Sequence, residues 1–115
     1  AIGLLPSLRE LGVTAVEVMP VAASAGRWGW GYDGVSMFAP MAAYGGPEGM
    51  RRFVDSAHKA GMAVILDVVY NHFGPDGNYT GAYSDGYVTG KYGTPWGQAI
   101  NFDGDGSEGC RRFFR

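Results

Sequence analysis

Cysteine is nearly absent from this sequence, because Cys110 is the only one among 115 residues. A single cysteine excludes an internal disulfide framework and is typical of proteins kept in a reducing compartment, so we expect a cytoplasmic location. No general base stands near the thiol in the sequence. We therefore interpret Cys110 as a small core residue and not as a nucleophile.

An excess of basic residues and a long apolar run are also lacking. Nine Lys and Arg residues stand against eleven Asp and Glu residues, which gives a formal charge of −2 at pH 7. The chain therefore has no basic footprint for nucleic acid and no polybasic patch for a membrane surface. No apolar run approaches the roughly 20 residues that cross a bilayer. We expect neither nucleic acid nor a membrane as a partner.

The common nucleotide, redox and metalloprotease motifs are missing. There is no P-loop, no GxGxxG after a strand, no CxxC, no HExxH and no Gly-x-Ser-x-Gly elbow. The two histidines, His58 and His72, are too far apart in sequence to form a metal-ligand pair on one helix. We expect no cofactor and no metal.

The most informative stretch runs from Ala63 to His72. It begins as a nearly continuous apolar run rich in β-branched residues, which is typical of a strand buried on both faces of a parallel sheet. Asp67 interrupts the run, and Tyr70, Asn71 and His72 follow where the strand should end. Ligands of α/β proteins bind at the carboxyl ends of parallel strands, so these side chains should meet at a functional rim. The alternative is that Asp67 is a satisfied core acid and His72 an ordinary loop residue.

The sequence before this stretch predicts a helix, a strand and a second helix. Pro6 is well placed as a first helical residue. An apolar stripe at helical spacing is formed by Leu4, Leu8 and Leu11. Residues 13–21 form a predicted buried strand in which Glu17 needs a partner inside the sheet. Pro47 begins the next helix, whose apolar stripe comprises Met50, Phe53, Val54 and Ala57. We therefore predict that the two strands joined by this helix are neighbours in a parallel sheet. The connection between them should be a right-handed crossover, as nearly all such connections are.

Two long segments show no clear periodicity. The first, residues 22–46, is rich in aromatic rings and centres on Gly29–Gly34, where glycines permit sharp turns. Flat rings beside the Asp33 carboxylate suit a sugar, whose C–H face stacks and whose hydroxyls need acceptors. The alternative is that the rings fill a small core of the loop itself. The second segment, residues 73–106, ends where Ser107 can cap a last helix with an apolar stripe formed by Cys110, Phe113 and Phe114.

Three patches are similar to conserved segments of the α-amylase family of glycoside hydrolases. Residues 67–72 (DVVYNH) resemble its first conserved region, residues 16–21 its second barrel strand, and residues 31–34 the loop after that strand. Within the family, residues 30–35, 44–49, 71–79 and 94–102 most resemble the members that release trehalose from maltooligosyltrehalose. Glycogen branching and debranching enzymes share the first three of these four segments, so the last, 94–102, favours the trehalose-releasing members.

The resemblance implies an α/β fold that is part of a (β/α)8 barrel. Residues 1–72 would supply a helix, the second strand, a helix and the third strand of the catalytic barrel. Residues 73–106 would be an irregular excursion after the third strand, and residues 107–115 the start of the next helix. The family's nucleophile and acid/base follow later strands. We therefore expect no catalytic residue up to Arg115 and an inactive fragment.

The same resemblance implies a substrate-binding role for five residues: Tyr32, Asp33, Asp67, Asn71 and His72. Tyr32 matches a tyrosine that stacks beneath the sugar being cleaved, and His72 matches a histidine that hydrogen-bonds the 6-hydroxyl of that sugar. Asp67 matches an acid that holds an arginine beside the nucleophile. Asn71 matches a calcium ligand of many α-amylases, but trehalose-releasing members generally lack that calcium, so no metal is expected.

The expected substrate is an α-glucan, maltooligosyltrehalose, cut at the α-1,4 bond next to its terminal trehalose. The alternatives are a branching or debranching enzyme of the same family and a non-catalytic, amylase-like binding module. We expect the Tyr32 ring to be exposed on the same rim as His72, and we expect Val64, Ile65 and Leu66 to be buried. Because His72 follows the strand, removing its ring should open no cavity.

Overall fold

A computed structural model describes all residues from 1 to 115. Three helices and three two-stranded sheets alternate along the chain, which makes the fold α/β. The helices are α1 (Leu5–Glu10), α2 (Gly46–Lys59) and α3 (Ser107–Phe113). The strands are β1 (Ala15–Val18), β2 (Ala22–Ala23), β3 (Ser36–Pro40), β4 (Ala63–Leu66), β5 (Val88–Thr89) and β6 (Ala99–Ile100). None of the helices has the length and apolar character that a membrane span requires.

The predicted parallel pair is present as β1 and β4. Their register places Ala15 opposite Ala63 and Val18 opposite Leu66. The Asp67 N–H then donates to the Val18 carbonyl at 2.9 Å. Asp67 was expected inside the strand, but β4 ends one residue before it. Its side chain therefore stands at the carboxyl end of the sheet.

Helix α2 connects these strands and presents the predicted apolar stripe to them. Ala57 on that stripe is buried, and Phe53 and Val54 are half-buried. Ala57 packs with Leu5 and Met62 in a core cluster on one face of the sheet. Gly61 ends the connection in a left-handed conformation, with a φ of 73°, which glycine adopts at low cost.

The apolar stripe predicted for the first helix is wrong. Leu5 is the buried residue of α1 and Leu8 is half-buried, whereas Leu4 and Leu11 are exposed. The reason is a 3-10 turn over Ile2–Leu4 that precedes α1. A 3-10 turn has three residues per turn, so Leu4 does not continue the phase of the α-helix.

The other face of the β1–β4 sheet is open, contrary to the expected burial of its residues. Ile65 on this face is 53% exposed. On the opposite face Val64 is only half-buried, and Leu66 at the end of the strand is exposed. Glu17, paired with Ile65 in the register, is exposed and lacks the partner inside the sheet that we expected. Val16 and Val64 face the core cluster, whereas no element of this chain covers the face that bears Glu17 and Ile65.

Residues 22–46 contain a hairpin that the sequence did not reveal. Strands β2 and β3 pair antiparallel with a register shift between Ala22 and Ala23, and a 3-10 turn follows at Ala42–Tyr44. A strand of two residues is too short to show an alternating pattern, which explains why this segment was interpreted as a loop.

Residues 73–106 are mostly irregular, as predicted, with 3-10 turns at Thr80–Ala82 and Asp85–Tyr87 and the short antiparallel pair β5–β6. A second core cluster joins Phe73, Ile100 and Cys110, so the cysteine is a core residue as predicted. Burial raises the pKa of its thiol. Ser107 is not the cap of α3 but its first residue, because Gly106 occupies the cap position. The Ser107 hydroxyl instead accepts a hydrogen bond from Arg111 at 2.8 Å.

The predicted apolar stripe of α3 is only partly buried. Cys110 is buried and Phe114 is half-buried, but Phe113 is exposed. Phe113 packs edge-on against Phe38 of β3, with ring centroids 5.0 Å apart, and Phe114 lies tilted to Phe38 at 5.8 Å. This aromatic contact fixes the hairpin against the last helix.

Candidate functional site

Tyr32 and Asp67 meet at the carboxyl ends of the two parallel strands. Asp67 directly follows β4. Tyr32 lies in the loop between β2 and β3, within the connection that follows β1. The Tyr32 hydroxyl donates to Oδ2 of Asp67 at 2.7 Å, although the residues are 35 positions apart. The contact joins two of the five residues for which the sequence predicts a role in substrate binding.

The contact with Asp67 keeps Tyr32 in its neutral form. The hydrogen bond to Asp67 raises the pKa of Tyr32, and burial and the negative charges of Asp67 and Glu17 act in the same direction. Tyr32 is thus a neutral donor, and its ring is 41% exposed. Asp67 is half-buried, and none of the ion pairs of this chain includes it. The resemblance implies an arginine partner for Asp67, but no arginine of this chain forms an ion pair with it.

Close backbone contacts fix the loop that carries Tyr32. Gly31 has a φ of 89°, and a Cβ atom there would lie 1.8 Å from the Pro20 carbonyl oxygen. The Gly74 N–H donates to the Gly34 carbonyl at 2.9 Å. A Cβ atom on Gly74 would lie 2.1 Å from the carbonyl oxygen of Asp33. Only glycine permits these approaches, which join the loop after β1 to the loop after β4.

His72 lies deeper than expected. It was predicted on the exposed rim, but it is only 4% exposed. Its Nδ1 is 3.0 Å from Oδ1 of Asn71, and its Nε2 is buried without a partner. The cause is a later segment: His72 forms a β-bridge with Ala99, and its ring centroid is 6.0 Å from that of Trp96.

Trp96 is a residue of the site for which the sequence predicted no role. It lies in a turn closed by Thr94, whose hydroxyl donates to the Gly97 carbonyl at 2.8 Å and accepts from the Trp96 N–H at 3.2 Å. A cavity of about 590 Å³ runs along this turn and reaches Asn71. The segment 94–102, which contains Trp96, indicated a resemblance to the trehalose-releasing members but did not indicate what Trp96 does.

Four of the five predicted binding residues thus form two separate hydrogen-bonded pairs. Tyr32 contacts Asp67, and Asn71 contacts His72. The Asp33 side chain is exposed, and its backbone carbonyl lies against Gly74. A cavity of about 220 Å³ reaches Asp67 between the strand ends and the hairpin.

The chain's carboxylates, histidines and cysteine form no cluster of three or more that could hold a metal ion. The Asn71 amide oxygen, which the resemblance relates to a calcium ligand, faces the His72 ring. The site contains the exposed ring of Tyr32, the carboxylate of Asp67 as an acceptor, and the buried imidazole of His72, whose Nε2 has no hydrogen-bond partner. These groups suit a neutral polyhydroxylated ligand.

Residues 2–89 match the sequence model of the alpha amylase catalytic domain. A malto-oligosyltrehalose trehalohydrolase from Saccharolobus solfataricus is 56% identical over 106 residues, which cover 92% of this chain and 19% of that protein. A 1,4-alpha-glucan branching enzyme from Pseudomonas aeruginosa is 43% identical over 93 residues, covering 81% of this chain and 13% of the enzyme.

Among solved structures, a Salmonella typhimurium protein assigned as an alpha amylase superposes with a TM-score of 0.89. It is 49% identical in sequence, and the match covers 97% of this chain and 19% of that one. The chain therefore spans about a fifth of the length of such relatives.

Proposed function

Because this chain belongs to the α-amylase family, we propose that it is part of a trehalose-releasing glycoside hydrolase. The enzyme would cut the α-1,4-glucosidic bond next to the terminal trehalose of maltooligosyltrehalose. The chain would contribute the second and third strands of a (β/α)8 barrel and a wall of the substrate site. The single cysteine supports a cytoplasmic location for this enzyme.

The observation that carries this proposal is the hydrogen bond between Tyr32 and Asp67 at the strand ends. In barrel enzymes this end of the sheet holds the substrate. The exposed Tyr32 ring is a flat apolar surface for the C–H face of a glucosyl unit. Asp67 orients that ring through the hydroxyl and keeps a carboxylate oxygen beside it as an acceptor.

His72 supplies the most directional contact in this proposal. Its Nε2 is buried and has no partner within the chain, and a buried polar atom without a hydrogen bond is costly. A hydroxyl of the bound sugar would remove that cost when the segment of Trp96 and Ala99, which covers the ring, gives it access. Asn71 holds the other ring nitrogen and so fixes the direction of Nε2.

Bond cleavage itself is assigned to residues outside this chain. Retaining glycosidases use two carboxylic groups that flank the scissile bond, one as nucleophile and one as acid and base. In the proposed enzyme these groups follow later barrel strands, beyond Arg115. Tyr32, Asp33, Asp67, Asn71 and His72 would bind and orient the sugar without exchanging protons with it.

A branching enzyme is the second candidate, and the 43% identity to the Pseudomonas aeruginosa enzyme favours it. A non-catalytic binding module is the third. It is less consistent with a site in which Tyr32, Asp67 and His72 are all present.

Product analysis separates these candidates. The full-length protein is incubated with maltooligosyltrehalose and, separately, with a long linear α-glucan. The proposal predicts free trehalose and a shortened maltooligosaccharide from the first substrate. New α-1,6 bonds in the second, without trehalose from the first, would instead establish a branching enzyme. Glucan binding without any product would identify a binding module.

A further inference from the structure

Trp28 is the most exposed large apolar residue of the chain, with 86% of its surface exposed. Trp30, two residues later, is also exposed. Single exposed apolar residues are common on proteins, but two exposed tryptophans within three residues of one loop are a feature that can mark a binding surface. The patch lies on the same loop as Tyr32.

Arg27 covers one face of the Trp28 ring. Its guanidinium carbon lies 5.5 Å from the ring centroid, within the range of a cation–π contact. This contact restricts the ring orientation and leaves the opposite face open to solvent. The guanidinium also carries five N–H donors in a fixed plane, and they are held at the ring. An open aromatic face beside several donors is suited to a ligand with both C–H and hydroxyl surfaces.

The backbone beneath this platform is anchored. The Gly29 carbonyl, directly after Trp28, accepts a hydrogen bond from the Tyr44 hydroxyl at 2.9 Å. Gly31 packs against Pro20 at the end of β1. Tyr32 follows Trp28 by four residues, so their Cα atoms are at most about 14 Å apart. A short oligosaccharide can span that distance.

We propose that the Arg27–Trp28 platform is a second binding position for the α-glucan chain, separate from the Tyr32–Asp67 pair. The inference rests on the proposed function and extends it to a glucosyl unit remote from the cleaved bond. That unit would stack on the open face of Trp28, and Arg27 would donate to its hydroxyls. A protein partner fits less well, because specific protein interfaces bury about 1,200 Å² or more, far beyond one ring and one guanidinium.

The test uses the full-length protein and maltooligosaccharides of increasing length, with binding measured by calorimetry. Trp28→Ala is expected to weaken binding of long chains about threefold to tenfold, the range for one aromatic contact, and to leave maltose binding unchanged. Arg27→Ala should act in the same direction with a smaller effect. Tyr83→Ala is the matched control, since Tyr83 is 84% exposed but ends a different segment, the 3-10 turn Thr80–Ala82. It should bind chains of every length as the wild type does.

Three outcomes would overturn the inference. Equal loss of affinity for short and long chains would place Trp28 in the first site. A lowered melting temperature for Trp28→Ala but not for Tyr83→Ala would show that the ring packs against another part of the protein. Failure of the wild type to bind any maltooligosaccharide would overturn the proposed function as well, whereas loss of the length dependence alone overturns only this inference.

Discussion

Tyr32 donates its phenolic proton to Asp67, and this contact controls how the residue titrates. The hydrogen bond raises the pKa of Tyr32 above its ordinary value of 10.0, as do burial and the charges of Asp67 and Glu17. Folding therefore favours the neutral phenol. Its contribution to stability is present below the ordinary tyrosine pKa and is lost as the pH rises through the raised folded-state pKa.

Alkaline titration of the full-length protein, followed by tyrosinate absorbance, checks this assignment. The difference between wild type and Tyr32→Phe should show one tyrosinate that forms above pH 10. In an Asp67→Asn background the same difference should move back toward the ordinary pKa, because the carboxylate charge is gone. A Tyr32 that ionises below pH 10 in the wild type would contradict the observed hydrogen bond.

His72 combines a binding role with a structural one. The sequence suggested that its removal would open no cavity, but the ring is buried beside Trp96 and its Nδ1 contacts Asn71. We now predict that His72→Ala lowers the free energy of unfolding by about 1–3 kcal/mol and also lowers kcat/KM. Urea denaturation of the full-length protein measures the first effect.

The exposed His58 on α2 provides the control for that experiment. His58→Ala removes an equal side chain from the surface and should change the unfolding free energy by no more than about 0.5 kcal/mol. If the two variants were equally stable, His72 would not be a packed residue.

At the scale of elements, glycine contacts hold the loop after β1 against the loop after β4. We predict that Gly74→Ala destabilises the full-length protein by about 1–3 kcal/mol, because the new methyl group would overlap the Asp33 carbonyl. It should also lower kcat/KM by displacing the loop that carries Tyr32 from the loop after β4. Gly81→Ala is the control, since a Cβ atom there meets nothing within 4 Å. A Gly74→Ala protein with wild-type melting temperature and kinetics would show that the loops tolerate separation.

Long periodic elements were predictable from the sequence, and short ones were not. The stripe of α2 extends over several turns, and the strands around Val16 and Val64 are rich in β-branched residues, so both were identified. The β2–β3 hairpin escaped because Ala22–Ala23 is too short to show a pattern. The face of α1 was wrong because the preceding 3-10 turn shifts Leu4 out of phase.

The same distinction applies to the site. Tyr32 and Asp67 were both expected near the carboxyl ends of two neighbouring parallel strands, although no contact between them was foreseen. The burial of His72 was not predictable, since it depends on Trp96 and Ala99, which return from the irregular segment to cover it. No local pattern encodes a contact of that kind.

At the scale of the whole molecule, the open face of the β1–β4 sheet is the dominant feature. Ile65 is exposed on it, and both strands have an unpaired edge. Such surfaces promote association. We predict that the isolated 115-residue chain self-associates and releases no trehalose from maltooligosyltrehalose. A monomer with a cooperative melt in light scattering and calorimetry, or measurable trehalose release, would contradict this prediction.

The central claim is that the Tyr32–Asp67 pair forms a wall of the substrate site in a trehalose-releasing enzyme. A double-mutant cycle on kcat/KM for trehalose release by the full-length protein tests it most directly, using Tyr32→Phe, Asp67→Asn and the combined variant. We predict that Asp67→Asn costs about tenfold or more, as expected for a hydrogen bond to a charged group. Adding Tyr32→Phe should then cost little more, because the two residues act through one contact. Wild-type kcat/KM in all three variants, or losses that simply add, would contradict the claim.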